Sequence, residues 1–209
     1  PTEYHTVEKI KKDKLRFINS TNDLNEKIDY MLKYYKYEMT HQHEITVHHG
    51  ISYWGTYVEK NFSIISRHFT GVCHSSVQCK NCKHITHTFD VFTSISLELP
   101  EQSLCHNLYD CLSSFTSKEE IKDEYNCQHC NLTTSCDKKI TFWNTPDVCI
   151  IHLKRFEMKR SPQGNITIQK KCNMIEYPSV LDMTPYMCEH NKKRMTYKLT
   201  SVIHHYGSY

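Results

Sequence analysis

No stretch of this sequence approaches the roughly 18 uninterrupted apolar residues that a membrane-spanning helix needs, so no membrane partner is expected. The opening segment, PTEYHTVEKIKKDKLRFINS, lacks both an initiating methionine and the apolar core of a secretory signal, and residue 1 reads as a cut rather than a biological start. A strong charge of either sign is also missing: 26 Lys and Arg stand against 23 Asp and Glu, a formal net charge of +3. That balance is too small to support nucleic-acid binding by electrostatics alone. The run from Lys9 to Lys14 (KIKKDK) fits a solvated helix face better than a phosphate-binding arm. The 15 histidines include no HExxH pair, and neither internal repeats nor low-complexity tracts are present.

What is present is a chain of 209 residues, long enough for one large domain or a domain with a protruding subdomain. Its 11 cysteines are odd in number and come without a secretory signal, which argues for metal-bound thiolates in a reducing compartment rather than a disulfide scaffold. An intracellular location, cytoplasm or nucleus, follows as the expectation.

The pattern of elements is α+β. Asp23 and Glu26 have the spacing of a capping box, and Leu24, Ile28, Met31, Leu32 and Tyr35 recur at helical intervals, which predicts a helix with one buried face. Residues 40–55 mix polar and aromatic groups without a firm period. Phe89, Val91, Thr93, Ile95, Leu97 and Leu99 alternate with polar residues and predict one long half-buried strand ending at Pro100. A helix capped by Ser103 is expected next, with Leu104, Leu108, Cys111, Leu112 and Phe115 on one face, so that Cys111 belongs to the core. Val148 to Phe156 and Tyr197 to His205 are strand candidates rich in β-branched and aromatic residues, and Ser161 to Asn165 carries turn chemistry.

Two CxxC pairs, Cys79/Cys82 and Cys127/Cys130, carry the clearest chemistry. Each can bend two thiolates onto one face of a tight turn, and two such turns supply the closed tetrahedron of sulfur ligands that structural zinc favours. A closed site leaves no position for water or substrate, so the metal would staple and not catalyse. The 44 residues from Lys83 to Asn126 exceed the roughly 15–20 of a compact zinc ribbon, so the connection must hold structure of its own. The alternative is two unrelated reduced pairs, or a site that no longer holds metal. His84, His87 and His129 are possible substitute ligands. Cys73, Cys105, Cys136, Cys149, Cys172 and Cys188 have no CxxC partner and read as free thiols.

Several of these residues resemble the ubiquitin-specific proteases. Phe69-Thr70-Gly71, Ser75-Ser76-Val77 and the first CxxC follow the order in which that family's finger subdomain opens, and Tyr125-Asn126-Cys127-Gln128-His129-Cys130 is similar to its second pair. Pro146-Asp147-Val148-Cys149-Ile150-Ile151-His152-Leu153-Lys154-Arg155-Phe156 carries the family's proline, apolar strand and His-Leu-Lys-Arg-Phe ending. Glu176-Tyr177-Pro178, Leu181-Asp182 and Tyr186, then Tyr197, Leu199, Val202, Ile203, His205 and Gly207, extend the resemblance. Asp23-Leu24-Asn25-Glu26 is similar to the thumb helix, with Thr21 and Asn22 where the family has glutamines.

The resemblance implies a fragment of a papain-like cysteine protease fold: fingers, palm strands and part of the thumb, with a zinc ribbon at the finger tip. Residues 1–68 would be a partial thumb-like helical region, and 69–209 the fingers and palm, ending just before the catalytic histidine segment. The implied activity is hydrolysis of the isopeptide or peptide bond after the C-terminal glycine of ubiquitin, by a cysteine nucleophile and a histidine base. Neither the family's Gly-Asn-Thr-Cys segment nor its Gly-His-Tyr segment is found, and five glycines leave no room for a hidden copy. This chain alone is therefore expected to be inactive. By resemblance Asp23 and Glu26 would meet the arginines of the ubiquitin tail, and His205 would line the cleft; a helix cap and a surface histidine explain the same residues. Two other readings stay open, a non-catalytic ubiquitin-binding relative and a zinc-ribbon nucleic-acid module.

Overall fold

A computed structural model describes residues 9, 12–13, 16–17, 19–21, 23–99, 106–160, 164 and 166–207. The chain divides into two compact units, Pro1–Lys60 and Asn61–Tyr209. Among the described residues no helix is long and apolar enough to cross a membrane.

The first unit is helical. Helix α1 (Leu24–Thr40) begins at Asp23, whose carboxylate accepts from the Asn25 and Glu26 backbone N–H groups, and helix α2 (Gln42–Asn61) follows directly after His41. The sequence predicts a buried face through Leu24, Ile28, Met31, Leu32 and Tyr35, yet the first four are exposed, the Tyr35 side chain lies outside the described residues, and Tyr34 is the buried hydrophobic residue among those described in α1. Periodicity records which stripe a helix offers; within the first unit no described element covers these residues. Helix α2 has no readable period because its buried positions are Thr46, His48 and Gly50, none of which registers as apolar patterning.

The second unit opens with a short helix, α3 (Ile64–Phe69), fixed by a reciprocal cap: the Ser66 backbone N–H donates to the Ser63 hydroxyl oxygen at 3.0 Å, and the Ser63 N–H to that of Ser66 at 2.8 Å. The chain then forms two antiparallel hairpins. The first joins β1 (Gly71–Cys79) to β2 (Ile85–Phe92), and the second joins β5 (Glu119–Cys127) to β6 (Leu132–Asn144). Strand β1 also pairs with β6, which gives one four-stranded sheet in the order β2-β1-β6-β5.

Below this sheet lies the core. Strand β3 (Ile95–Glu98) pairs in parallel with β7 (Ile151–Lys154), and α4 (Leu108–Phe115) packs Leu108, Cys111 and Leu112 into a cluster with Ile95, Leu97 and Phe142. The alternation in β3 and β7 is paired residue by residue: Ser96 faces His152, and Glu98 holds Lys154 at 2.7 Å. The fully buried Phe142, at the foot of β6, stacks on Phe115 at 5.8 Å and meets Phe92 edge-on at 5.7 Å, tying sheet to core. Smaller ladders complete the unit. Strand β4 (His106–Asn107) pairs with β10 (Ile175–Glu176), β8 (Phe156–Arg160) with β9 (Ile166–Lys170), and β11 (Val180–Asp182) with β12 (Thr196–Lys198).

Three expectations change. The single strand expected over Phe89 to Leu99 bends at Thr93–Ser94, because its first half pairs with β1 in the hairpin sheet and its second half with β7 in the core. One alternating pattern thus serves two sheets. The helix expected from Ser103 starts at Leu108, capped by Asn107 in a reciprocal box with Asp110; Ser103 and Leu104 lie outside the described residues. Of the strand expected over Tyr197 to His205, only its start is a ladder, since the partner β11 is three residues long. The Ser161–Asn165 turn is described only at Gly164, whose φ of 85° is the left-handed conformation that glycine adopts without strain.

Gly71 sits where β1 leaves α3, and a Cβ built there would press into the Phe92 ring and approach the Asn144 carbonyl at 2.8 Å. Substitution Gly71→Ala is expected to destabilise the unit by about 1–3 kcal/mol, the cost of forcing a packed neighbour aside, in a denaturant titration. An unchanged midpoint would contradict this packing.

Candidate metal centre

Both hairpins turn over a CxxC pair. Strand β1 ends at Cys79 and β5 at Cys127, so each pair's first cysteine closes a strand and its second lies in the turn. The turns are similar. Lys83 N–H donates to the Cys79 carbonyl at 3.0 Å, and Asn131 N–H to the Cys127 carbonyl at 2.8 Å. Residues Lys83 and Asn131 take positive φ, 62° and 55°, which lets each chain reverse immediately after its second cysteine.

Because β1 and β6 are neighbours, the two tips lie side by side. The four sulfur atoms of Cys79, Cys82, Cys127 and Cys130 all fall within 4.8 Å of one another, with Cys79 and Cys127 buried and the other two partly so. Across the tips, Cys82 Sγ lies 3.7 Å from Cys127 Sγ, and Cys79 Sγ 4.0 Å from Cys130 Sγ. Among the described residues this is the one group of ligating side chains gathered closely enough to hold a metal ion. The backbone N–H of Cys130, helped by that of His129 and opposed by burial, draws the Cys127 thiol down to about 7. The donors fit a closed tetrahedral sulfur site.

The surroundings reinforce the tips. His84 and His129, one from each turn, stack at 4.6 Å with planes 7° apart. Lys80 bonds to Glu120 and lies 3.5 Å from Asp137, which Lys118 also holds at 2.7 Å; that Lys118 bond keeps the Asp137 carboxyl below the usual carboxylate range. Of the possible substitute ligands, His84 and His129 flank the sulfur group, and His87 lies further along β2.

Of the other predicted site residues, Asp23 and Glu26 belong to the first unit and His205 to the second. Asp23 accepts from Asn25 N–H at 2.7 Å, and Glu26 accepts from the Thr21 hydroxyl at 2.8 Å, so both acids serve the start of α1. Both are exposed. His205 is also exposed; its ring meets Phe156 edge-on at 5.5 Å, and its carbonyl accepts from Lys170 at 3.3 Å.

A buried cysteine–histidine contact escaped the sequence reading. Cys188 Sγ lies 3.3 Å from His74 Nδ1, and His74 Nε2 lies 2.9 Å from His87 Nδ1, with His190 packed against both rings. Cys188 and His74 stand 114 positions apart; Cys188 lies outside the strands and is held beside β6 by its N–H, which donates to the Phe142 carbonyl at 2.7 Å. Burial, then the neighbouring His87 and His190, lowers His74 to about 4, while burial raises the Cys188 thiol. The pair is thus a neutral thiol against a neutral imidazole, closed to solvent. An activated nucleophile needs the reverse.

Residues 4–209 match the sequence model of the ubiquitin carboxyl-terminal hydrolase family, and the chain belongs to that family. It is 34% identical over 161 residues to a probable ubiquitin carboxyl-terminal hydrolase of Acanthamoeba polyphaga mimivirus, covering 72% of this chain and 33% of that protein. It is 33% identical over 145 residues to ubiquitin carboxyl-terminal hydrolase 4 of Eremothecium gossypii, covering 68% of this chain and 16% of that one. Among solved structures it is similar to the SAGA Ubp8/Sgf11/Sus1/Sgf73 DUB module bound to ubiquitin aldehyde, with a TM-score of 0.56 and 31% identity over 67% of this chain and 31% of that chain. This chain thus spans about a third or less of the length of these relatives. The α+β expectation and the ubiquitin-specific protease fold are borne out by that likeness.

His74 also sets a pH dependence. Its ordinary value of 6.5 falls to about 4 on folding, so the unfolded chain binds the extra proton first and stability drops as pH falls from about 6.5 toward 4. The full loss is on the order of 3 kcal/mol from this group. Denaturant titrations at neutral and acid pH should show that loss in the wild-type protein and a flatter profile in His74→Gln; parallel profiles would contradict it.

Proposed function

We propose that this chain is the finger, palm and partial thumb portion of a deubiquitinating cysteine protease, which hydrolyses the isopeptide or peptide bond after the C-terminal glycine of ubiquitin. The family match over residues 4–209 carries the reading. The nucleophilic cysteine and its histidine base are assigned to other parts of the protein, since the Cys188–His74 contact is neutral and buried.

Zinc is the metal assigned to Cys79, Cys82, Cys127 and Cys130, and it acts as a cross-link between the two hairpin tips. Thiolates converge there from two turns, and the closed sulfur set leaves no coordination position for substrate. Such ligands require a reducing compartment, cytoplasm or nucleus. A stiffened finger presents a fixed surface to ubiquitin. Asp23 and Glu26, both exposed, are assigned to the basic tail of ubiquitin, and His205 to the cleft through which that tail reaches the scissile bond.

The full-length protein is expected to release the fluorophore from a ubiquitin C-terminal amide, to lose that activity on thiol alkylation, and to keep it in Cys188→Ala. Binding of ubiquitin without any cleavage would instead identify a non-catalytic ubiquitin-binding relative. Loss of activity in a folded Cys188→Ala protein would place the nucleophile within this chain.

A further inference from the structure

The zinc ligands have a fifth cysteine beside them. Cys136 lies on β6 directly opposite Cys79 on β1, and both are fully buried. The hydrogen bonds around them define the kind of pair they form. Lys80 N–H donates to the Ser135 carbonyl at 3.0 Å, which joins the residue after Cys79 to the residue before Cys136. Cys79 itself turns its backbone away, its N–H donating to the His84 carbonyl at 3.0 Å and its carbonyl accepting from Lys83 at 3.0 Å. Cys79 and Cys136 are therefore a non-hydrogen-bonded antiparallel pair, in which side chains share one face and the Cα atoms stand about 4.5 Å apart. That spacing falls within the roughly 4.4–6.8 Å that a disulfide spans without backbone movement.

We propose that Cys136 is a resolving thiol for this centre: under peroxide it captures Cys79 as a cross-strand disulfide, removes one of the four zinc ligands and releases the metal. The consequence for zinc rests on the metal assignment above, whereas the pairing rests on the ladder alone. Cys82 and Cys130 sit in the turns, where the metal would hold them together. Cys79 and Cys136 are held by the sheet, which keeps them opposed after the metal has gone.

The chemistry balances with one peroxide as oxidant. The partly exposed Cys130 thiolate attacks a peroxide oxygen, giving a sulfenic acid and hydroxide. The Cys79 thiolate, 4.0 Å away, attacks that sulfur and expels a second hydroxide to form the Cys79–Cys130 disulfide. Cys136 then gives up its proton, attacks the Cys79 sulfur and returns Cys130 as a thiolate. In sum, the Cys79 thiolate and the Cys136 thiol lose two electrons and one proton, the peroxide becomes one water and one hydroxide, which takes its proton from solvent, and Zn²⁺ leaves a site short of one ligand. A dithiol reductant reverses the disulfide and restores the fourth ligand.

The test uses the full-length protein, its zinc measured before and after hydrogen peroxide, followed by alkylation and non-reducing peptide mapping. The expected result is loss of bound zinc together with a peptide pair joined through Cys79 and Cys136, both reversed by dithiothreitol with added zinc. Cys136→Ser should bind zinc when reduced and, after peroxide, stop at the Cys79–Cys130 disulfide, with no link to position 136. A zinc-loaded wild-type protein that, once oxidised, keeps Cys136 open to alkylation and forms disulfides only among the four knuckle cysteines would overturn the proposal. Absence of zinc from the reduced wild-type protein would contradict the metal assignment and the metal-release switch with it, while a Cys79–Cys136 link found in that same protein would uphold the pairing.

Discussion

The antiparallel register of β1 on β6 is the constraint on which the rest of this structure depends. Each hairpin is a local affair, a strand, a tight turn and a returning strand. Nothing in either one brings Cys79 to Cys127. Pairing β1 with β6 sets Cys79 opposite Cys136 and carries both turns to the same end of one sheet, where their sulfur atoms converge. The same register places His74 beside Thr141 and brings Phe142 to the foot of the sheet, where Phe92 and Phe115 lock it into the core. A slip by one residue would invert every side chain of the strand and scatter all three groups.

This arrangement separates two jobs. The core around Phe142 is buried and largely aliphatic, and holds the foot of the sheet by burial. The tip has little apolar surface to bury, with Leu132 half exposed beside it, and relies on thiolates, a histidine stack and the Lys80, Lys118, Glu120 and Asp137 ion network. Exposed ion pairs of this sort contribute little each. A metal cross-link is therefore the dominant source of stiffness proposed for the tip, and its loss would free the finger while leaving the core folded. That division makes a cysteine such as Cys136, placed between the two regimes, consequential for its size.

The four gathered cysteines were legible in the sequence because CxxC spacing is local, and their long connection holds structure of its own, as its length requires. Where sequence reasoning fell short, the missing information was non-local. The alternation from Phe89 to Leu99 is real, but period alone does not record that a chain changes partners at Thr93–Ser94. In the sequence Ser103 and Asn107 are both acceptable caps, and only the reciprocal bond between Asn107 and Asp110 distinguishes the one that is used. Helix α2 hides its identity behind buried threonine, histidine and glycine. The Cys188–His74–His87 network joins three elements, and the pairing of Cys136 with Cys79 exists only in the ladder. No spacing rule reports either.

X-ray absorption at the zinc edge of the full-length protein tests the central claim most directly. A site built by Cys79, Cys82, Cys127 and Cys130 gives a first shell of four sulfur atoms at about 2.3 Å with no nitrogen or oxygen neighbour. A shell containing imidazole nitrogen or water oxygen, or a purified protein without zinc, would contradict the account of two hairpin tips closed by one sulfur-bound metal.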